Sequence, residues 1–206
     1  MMNLLHIGVL LTGAWSLLAL TALVIRARAY GKLEYFTPAA GNPMAGVAYA
    51  FGPGMSPTAK ESAREHLPTY FGGVGYHLGI FASLAYLVLL VAGVGFGGFL
   101  LRVVQALTLL GALCGASLLI KRILTPHLRG LSCPDDYVAN LLTTGFAGLA
   151  FAAAVSPRLQ PAFFGEAAVL LSYMPLGKIK HCFFFFTTRY YMGAHFGRRG
   201  TFPPRA

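Results

Sequence analysis

Histidine is the residue type in this chain whose spacing points to chemistry. Six occur, His6, His66, His77, His127, His181 and His195. A neutral imidazole is a strong ligand for transition metals, and two of them can fill both axial positions of an iron porphyrin. Such a site needs one histidine from each of two facing helices. His77 lies toward one end of a long apolar run, and His181 lies toward the end of another. A second pairing is open to His66 and His195, which stand 11 residues before His77 and 14 after His181. Those steps return to within about 20° and about 40° of the same helix face. Pro68 argues against it, because a proline disfavors helical backbone at the preceding Leu67. His6 and His127 fall near run ends and read as surface or interfacial groups. Each histidine also has a plainer reading, as a polar side chain bonded across a helix interface.

The elements that must hold these residues follow from composition. The chain has 206 residues, of which 56% are hydrophobic and only 11% charged. A soluble domain carries about 25% charged residues, so a bilayer is the expected solvent. Sixteen basic and six acidic residues give a net charge of +10. The basic residues fall between apolar runs, which is a topology signal rather than a nucleic-acid footprint. Cys114, Cys133 and Cys182 form no CxxC, CxxCH or zinc pattern, so the chain itself offers no iron–sulfur or c-type heme site.

A spanning helix needs about 20 apolar residues. Charge-free runs cover 1–25, 66–101, 103–120 and 137–157, the second being long enough for a helix plus a glycine-rich turn near 93–98. The first lacks a basic leader and a small-residue cleavage site, so it reads as a retained helix. Ser132, Pro134, Asp135 and Asp136 open the fourth run with a capping serine and first-turn carboxylates. A fifth span is expected at 162–186, although it carries Glu166, Pro175, Lys178 and Lys180. The expected fold is therefore all-α, a single five-helix transmembrane bundle over 1–206. With the N-terminus outside, fourteen of the sixteen Lys and Arg residues fall inside, leaving only Arg102 and Arg158 outside. That places the 26–65 loop and the 191–206 tail in the cytoplasm.

The 26–65 loop is rich in Pro and Gly and reads as irregular, with a short helix from Ser56-Pro57 to about Glu65. Its apolar stretch 45–51 suggests chain lying on the membrane surface or a docking surface for a cytoplasmic partner.

Three local sequences carry a family resemblance. Tyr76-His77-Leu78-Gly79-Ile80-Phe81 resembles the segment around the first heme ligand of the cytochrome b (gamma) subunit of respiratory nitrate reductase. Met174-Pro175-Leu176-Gly177-Lys178-Ile179-Lys180-His181 is similar to that family's last-helix segment, which ends on a ligand histidine. Residues 118–126, followed by Asp135-Asp136-Tyr137, resemble its link between helices three and four. The likeness covers about 68–190, and five helices with an outside N-terminus is that family's topology. It implies axial ligation of heme b by His77 and His181. One departure matters: the family's outer ligands would fall near Leu87 and Phe163, and neither side chain binds iron. One heme is thus expected, and two only if His66 and His195 form a further pair.

The resemblance implies a membrane electron-transfer subunit working between the quinone pool and a cytoplasmic iron–sulfur protein, in the inner membrane of a prokaryote. The partner would be an oxidoreductase subunit, as in related heterodisulfide-reductase-like enzymes, and the chain would not be catalytic alone. Lys178, Lys180 and Arg189 are candidates for heme propionates or quinone, with Tyr76 and His66 as further hydrogen-bonding candidates for quinone. Gly72, Gly73, Gly75 and Gly79 would let the second span approach a porphyrin. Two other readings compete: a heme-free anchor for a cytoplasmic enzyme, and a small transporter component. The transporter reading rests on Glu166 alone, without an internal repeat.

Overall fold

The computed structural model describes residues 4–31, 35–95 and 97–204, and within them the side chains of Glu61 and Ser62 are left aside. Lys32 and Arg205, both counted as inside by sequence, lie outside the described residues. The described residues contain helices and no strand. In chain order the helices are α1 (Leu4–Arg28), α2 (Pro43–Phe51), α3 (Glu61–Glu65), α4 (Leu67–Val91) and α5 (Gly98–Leu124), then α6 (Pro126–Gly130), α7 (Pro134–Val155), α8 (Gln160–Tyr173) and α9 (His181–Arg198).

Four of these, α1, α4, α5 and α7, are long and apolar enough to cross a membrane. They correspond to the four charge-free runs. The turn between α4 and α5 is the glycine-rich one: the Val94 N–H bonds the carbonyl of Leu89 while Gly93 takes a φ of +68°, so a left-handed glycine closes α4. Leu67 is helical despite Pro68, because a proline in the first turn occupies a position whose N–H has no intrahelical partner.

The expected fifth span is not one helix. α8 has 14 residues and stops at Tyr173, a turn runs through Pro175 and Gly177, and a 3-10 turn at Lys178–Lys180 leads into α9. At 1.5 Å per residue α8 is about 21 Å long, short of the roughly 30 Å of bilayer hydrocarbon.

The chain divides into two compact units. The first comprises residues 1–19 and 68–179. Its core stacks Phe163 on Phe146 and Tyr86, with ring centroids 5.1 and 5.6 Å apart, among Leu87, Val104, Ala150 and Leu170. Gln105 Nε2 donates to the Ala154 carbonyl at 2.8 Å, joining α5 to α7, and Trp15 Nε1 donates to the Ser172 carbonyl at 3.2 Å, joining α1 to α8. Small residues set the closest approach: a Cβ on Gly111 of α5 would lie 2.6 Å from the Cα of Gly79 on α4. Helices meet that closely only where neither carries a side chain.

The second unit comprises residues 20–67 and 180–206. Here the apolar stretch 45–51 is a helix. Asn42 caps α2, its Oδ1 accepting from the N–H groups of Met44 (2.8 Å) and Ala45 (3.3 Å), and Pro43 occupies the first turn. α2 packs directly on α9. A Cβ on Gly197 would lie 2.8 Å from the Cα of Gly46, and one on Gly193 would lie 2.7 Å from the Cα of Val47. Ala50 is fully buried. α9 therefore covers the Gly46 and Ala50 face of α2, while Met44 and Phe51 stay exposed. The stretch from Ser56 forms two pieces, a 3-10 turn at Pro57–Ala59 and then α3, instead of one continuous helix.

Candidate functional site

His77 projects from α4 in the first unit and is exposed. Its Nδ1 is 2.7 Å from the carbonyl of Gly73, one turn earlier. A carbonyl can only accept, so Nδ1 carries a proton, and in the neutral ring Nε2 is the nitrogen with the lone pair. Metal-binding histidines are oriented in this way, their other ring N–H held by a backbone carbonyl or carboxylate. A Cβ on Gly73 would meet no other heavy atom within 4 Å, so α4 is open at that position.

The glycines of α4 divide into two faces. Gly79 meets Gly111, and a Cβ on Gly75 would touch the Cys114 Sγ at 3.0 Å, so these two serve packing against α5. Gly73 alone combines open space with the His77 hydrogen bond, while Gly72 is in ordinary contact range of Leu118.

Tyr76 points the other way. It is buried, and its hydroxyl donates to the Asn140 carbonyl at 3.0 Å while contacting the hydroxyls of Thr143 and Thr144. All three partners lie on α7, so Tyr76 fastens α4 to α7 from inside the bundle.

His181 is the first residue of α9 and is exposed. The turn that delivers it is pinned by the start of α7. Asp135 accepts the backbone N–H of Lys178 at 2.9 Å and the hydroxyl of Tyr173. Asp136 accepts the Lys178 ammonium at 2.7 Å, and its other oxygen stands 3.8 Å from Arg122. The same Asp136 reaches back to the Cys133 N–H at 2.9 Å, so the cap of α7 is this first-turn carboxylate. Ser132, the expected capping serine, instead donates to the Leu128 carbonyl and accepts from Arg122. The Asp136 carboxylate holds the Lys178 ammonium above its ordinary pKa.

His66 follows α3 and is exposed. His195 is half-buried on α9, its ring 6.4 Å from Tyr35 and 5.3 Å from Phe196, and no described contact joins it to His66. Lys180 is half-buried at the end of the 3-10 turn. Arg189 donates to the Ala50 carbonyl at 3.3 Å and lies 5.6 Å over the Phe185 ring. His6 packs on Phe164 in the first unit, and His127 is exposed on α6. Glu166 is half-buried on α8 facing Gly145 of α7. Leu87 and Phe163, where the resemblance would put an outer pair of ligands, both sit in the packed aromatic core.

Two features escaped the sequence reading. Asp135 registered as a helix start, but its second duty, fixing the turn before His181, depends on a contact 43 residues away. Lys60 registered only as an inside charge, and it lines a cleft with Arg189.

The fold thus defines a class: an all-helical, multi-pass membrane protein with four candidate spans. No protein-family model, curated protein or solved structure matches the chain.

Proposed function

We propose that this chain is a membrane b-type cytochrome subunit with His77 and His181 as the axial ligands of one heme. The observation that carries the reading is the His77 ring, whose Nδ1 faces the Gly73 carbonyl on a stretch of α4 where a Cβ at Gly73 would meet nothing within 4 Å. His181 supports it by position: the turn before it is held by two aspartates. When bound, a bis-imidazole heme takes up and gives away single electrons and offers no open coordination site for substrate. The protein's own residues bind and orient it. His77 and His181 supply the nitrogen donors, Asp135 and Asp136 fix the approach to His181, and Lys180 is the nearby cation for a propionate. Lys178 is already paired with Asp136, which removes it from that duty.

The basic-residue distribution supports an N-terminus outside and a cytoplasmic C-terminus, which requires the broken α8–α9 stretch to complete a fifth crossing, and the setting of this reading is a prokaryotic inner membrane. In that setting the subunit passes electrons between a membrane quinone and a cytoplasmic iron–sulfur partner. The packed core at Leu87 and Phe163 favors one heme over two.

A pyridine-hemochrome assay on the purified chain tests this, with one b-type heme per chain as the expected result. Two hemes would restore the His66 and His195 pair, and none in a folded protein would leave the heme-free anchor. Asp135→Ala is expected to lower heme retention about 10- to 100-fold while leaving both ligands in place, the effect typical of losing a group that orients a metal ligand. Unchanged heme content would show that the turn holds its shape without Asp135.

A further inference from the structure

In the second unit a cleft of about 570 Å³ opens between α2, α9 and the segment from Gly54 to Lys60. That volume lies within the range of small-molecule sites, about 300–1,000 Å³. Its walls are mainly apolar and aromatic, with Tyr49, Phe185, Met192 and Phe202 prominent, and it holds two basic side chains, Lys60 and Arg189. Both are half-buried. Burial and then the neighboring Arg189 charge push the Lys60 ammonium below its ordinary pKa, so the two cations lie close enough to repel.

Two like charges held in one apolar cleft favor an anionic ligand. The described ion pairs of this chain are those of Asp136 with Arg122 and Lys178, and none reaches Lys60 or Arg189. Arg189 is held in place from behind by the Ala50 carbonyl and by the Phe185 ring, which leaves part of its planar fork for an incoming oxyanion. A fork next to a point-charge ammonium suits phosphate oxygens. The aromatic walls suit an apolar chain attached to that phosphate.

We infer that the Lys60–Arg189 cleft binds a phosphate-bearing amphiphile, its oxyanion on the two cations and its apolar part along Tyr49, Phe185, Met192 and Phe202. For a chain with four candidate spans the abundant source is an anionic phospholipid, and a soluble phosphate ester is the other source of the same chemistry. This site is independent of the heme reading.

The test is native mass spectrometry of the full chain in detergent with added phosphatidylglycerol, phosphatidylcholine or inorganic phosphate. Phosphatidylglycerol is expected to be retained about tenfold over phosphatidylcholine, as for about 1.4 kcal/mol of extra binding. Lys60→Gln and Arg189→Gln should bring that ratio to near one, while Lys60→Arg should keep it. Thermal melts by circular dichroism show whether each variant is folded, and the Lys60 pair decides the matter if Arg189→Gln is not. Displacement of the lipid by millimolar phosphate, dependent on both cations, keeps the oxyanion site and assigns it to a soluble phosphate. Equal retention of the two lipids by the wild type, or an undiminished preference in Lys60→Gln, overturns the proposal.

Discussion

Alanine in place of His77 is expected to remove the low-spin b-type signature from the dithionite-reduced minus oxidized spectrum, with heme content falling at least about tenfold. Losing a group that merely orients a metal ligand costs about 10- to 100-fold in affinity, and losing the ligand itself should cost no less. His181→Ala should do the same, because each imidazole fills one axial position. Retention of a five-coordinate, high-spin heme would equally identify the missing residue as a ligand. His66→Ala and His195→Ala are the controls, expected to leave spectrum and stoichiometry intact. His195 in particular packs on Tyr35 and Phe196, and its removal should cost stability rather than iron. An unchanged low-spin spectrum in His77→Ala would sink the axial assignment outright.

Those variants also separate the cytochrome from the bare anchor. An anchor needs its helices and its surfaces, and none of its duties passes through the Nε2 of His77. The tautomer argument sharpens the point. A histidine that only satisfies an interface could be replaced by glutamine, whose amide can still donate to the Gly73 carbonyl. A ligand could not, since the amide is a poor donor to heme iron. His77→Gln should therefore lose heme while keeping its fold.

Much of the fold was legible from where the charges are absent. Four apolar runs free of Asp, Glu, Lys and Arg for about 20 positions, best solvated by lipid or by each other, correspond to α1, α4, α5 and α7, whereas the equally charge-free 35–59 is broken by Pro and Gly. The fifth run misled because hydropathy counts residues and does not weigh a break. Pro175 and Gly177 sit in its middle, and the turn there is stabilized by Asp135, which lies 40 residues upstream of Pro175. α2 was hidden for a related reason. Its flanking Gly and Pro residues punctuate like a loop, while what makes it a helix in place is contact with Gly193 and Gly197, almost 150 residues away. Of the candidate site, the identities of His77 and Gly73 were legible, but the hydrogen bond that sets the tautomer was not. Tyr76 shows the limit most clearly. Its neighbor in sequence is a ligand candidate, yet one step of about 100° around the helix turns it into the bundle and onto α7.

The glycines of α4 permit a prediction in which fold and site come apart. Gly79→Ala places a methyl group against the backbone of α5, where Gly111 faces it in the same way, since a Cβ on Gly111 would stand only 2.6 Å from the Cα of Gly79. No flexible side chain is there to move aside. The substitution gains up to about 1 kcal/mol of helix propensity. Overpacking of a fitted contact costs about 1–3 kcal/mol, and more when only backbone can yield. The net should be a loss of about 2 kcal/mol, read as a lower midpoint in detergent-denaturation titrations. Gly73 lies on the other face, where a Cβ meets nothing within 4 Å. Gly73→Ala should thus leave the midpoint unchanged or raise it slightly through helix propensity. Gly73→Leu should do the same for the apoprotein but lower heme content several-fold, because the isobutyl group would occupy the open surface next to His77. If Gly73→Leu binds heme like the wild type, the porphyrin does not lie over this face, and the orientation argued for the His77 ring is wrong. If instead Gly79→Ala and Gly73→Leu lower the midpoint equally, the two faces of α4 are not as distinct as the contacts make them.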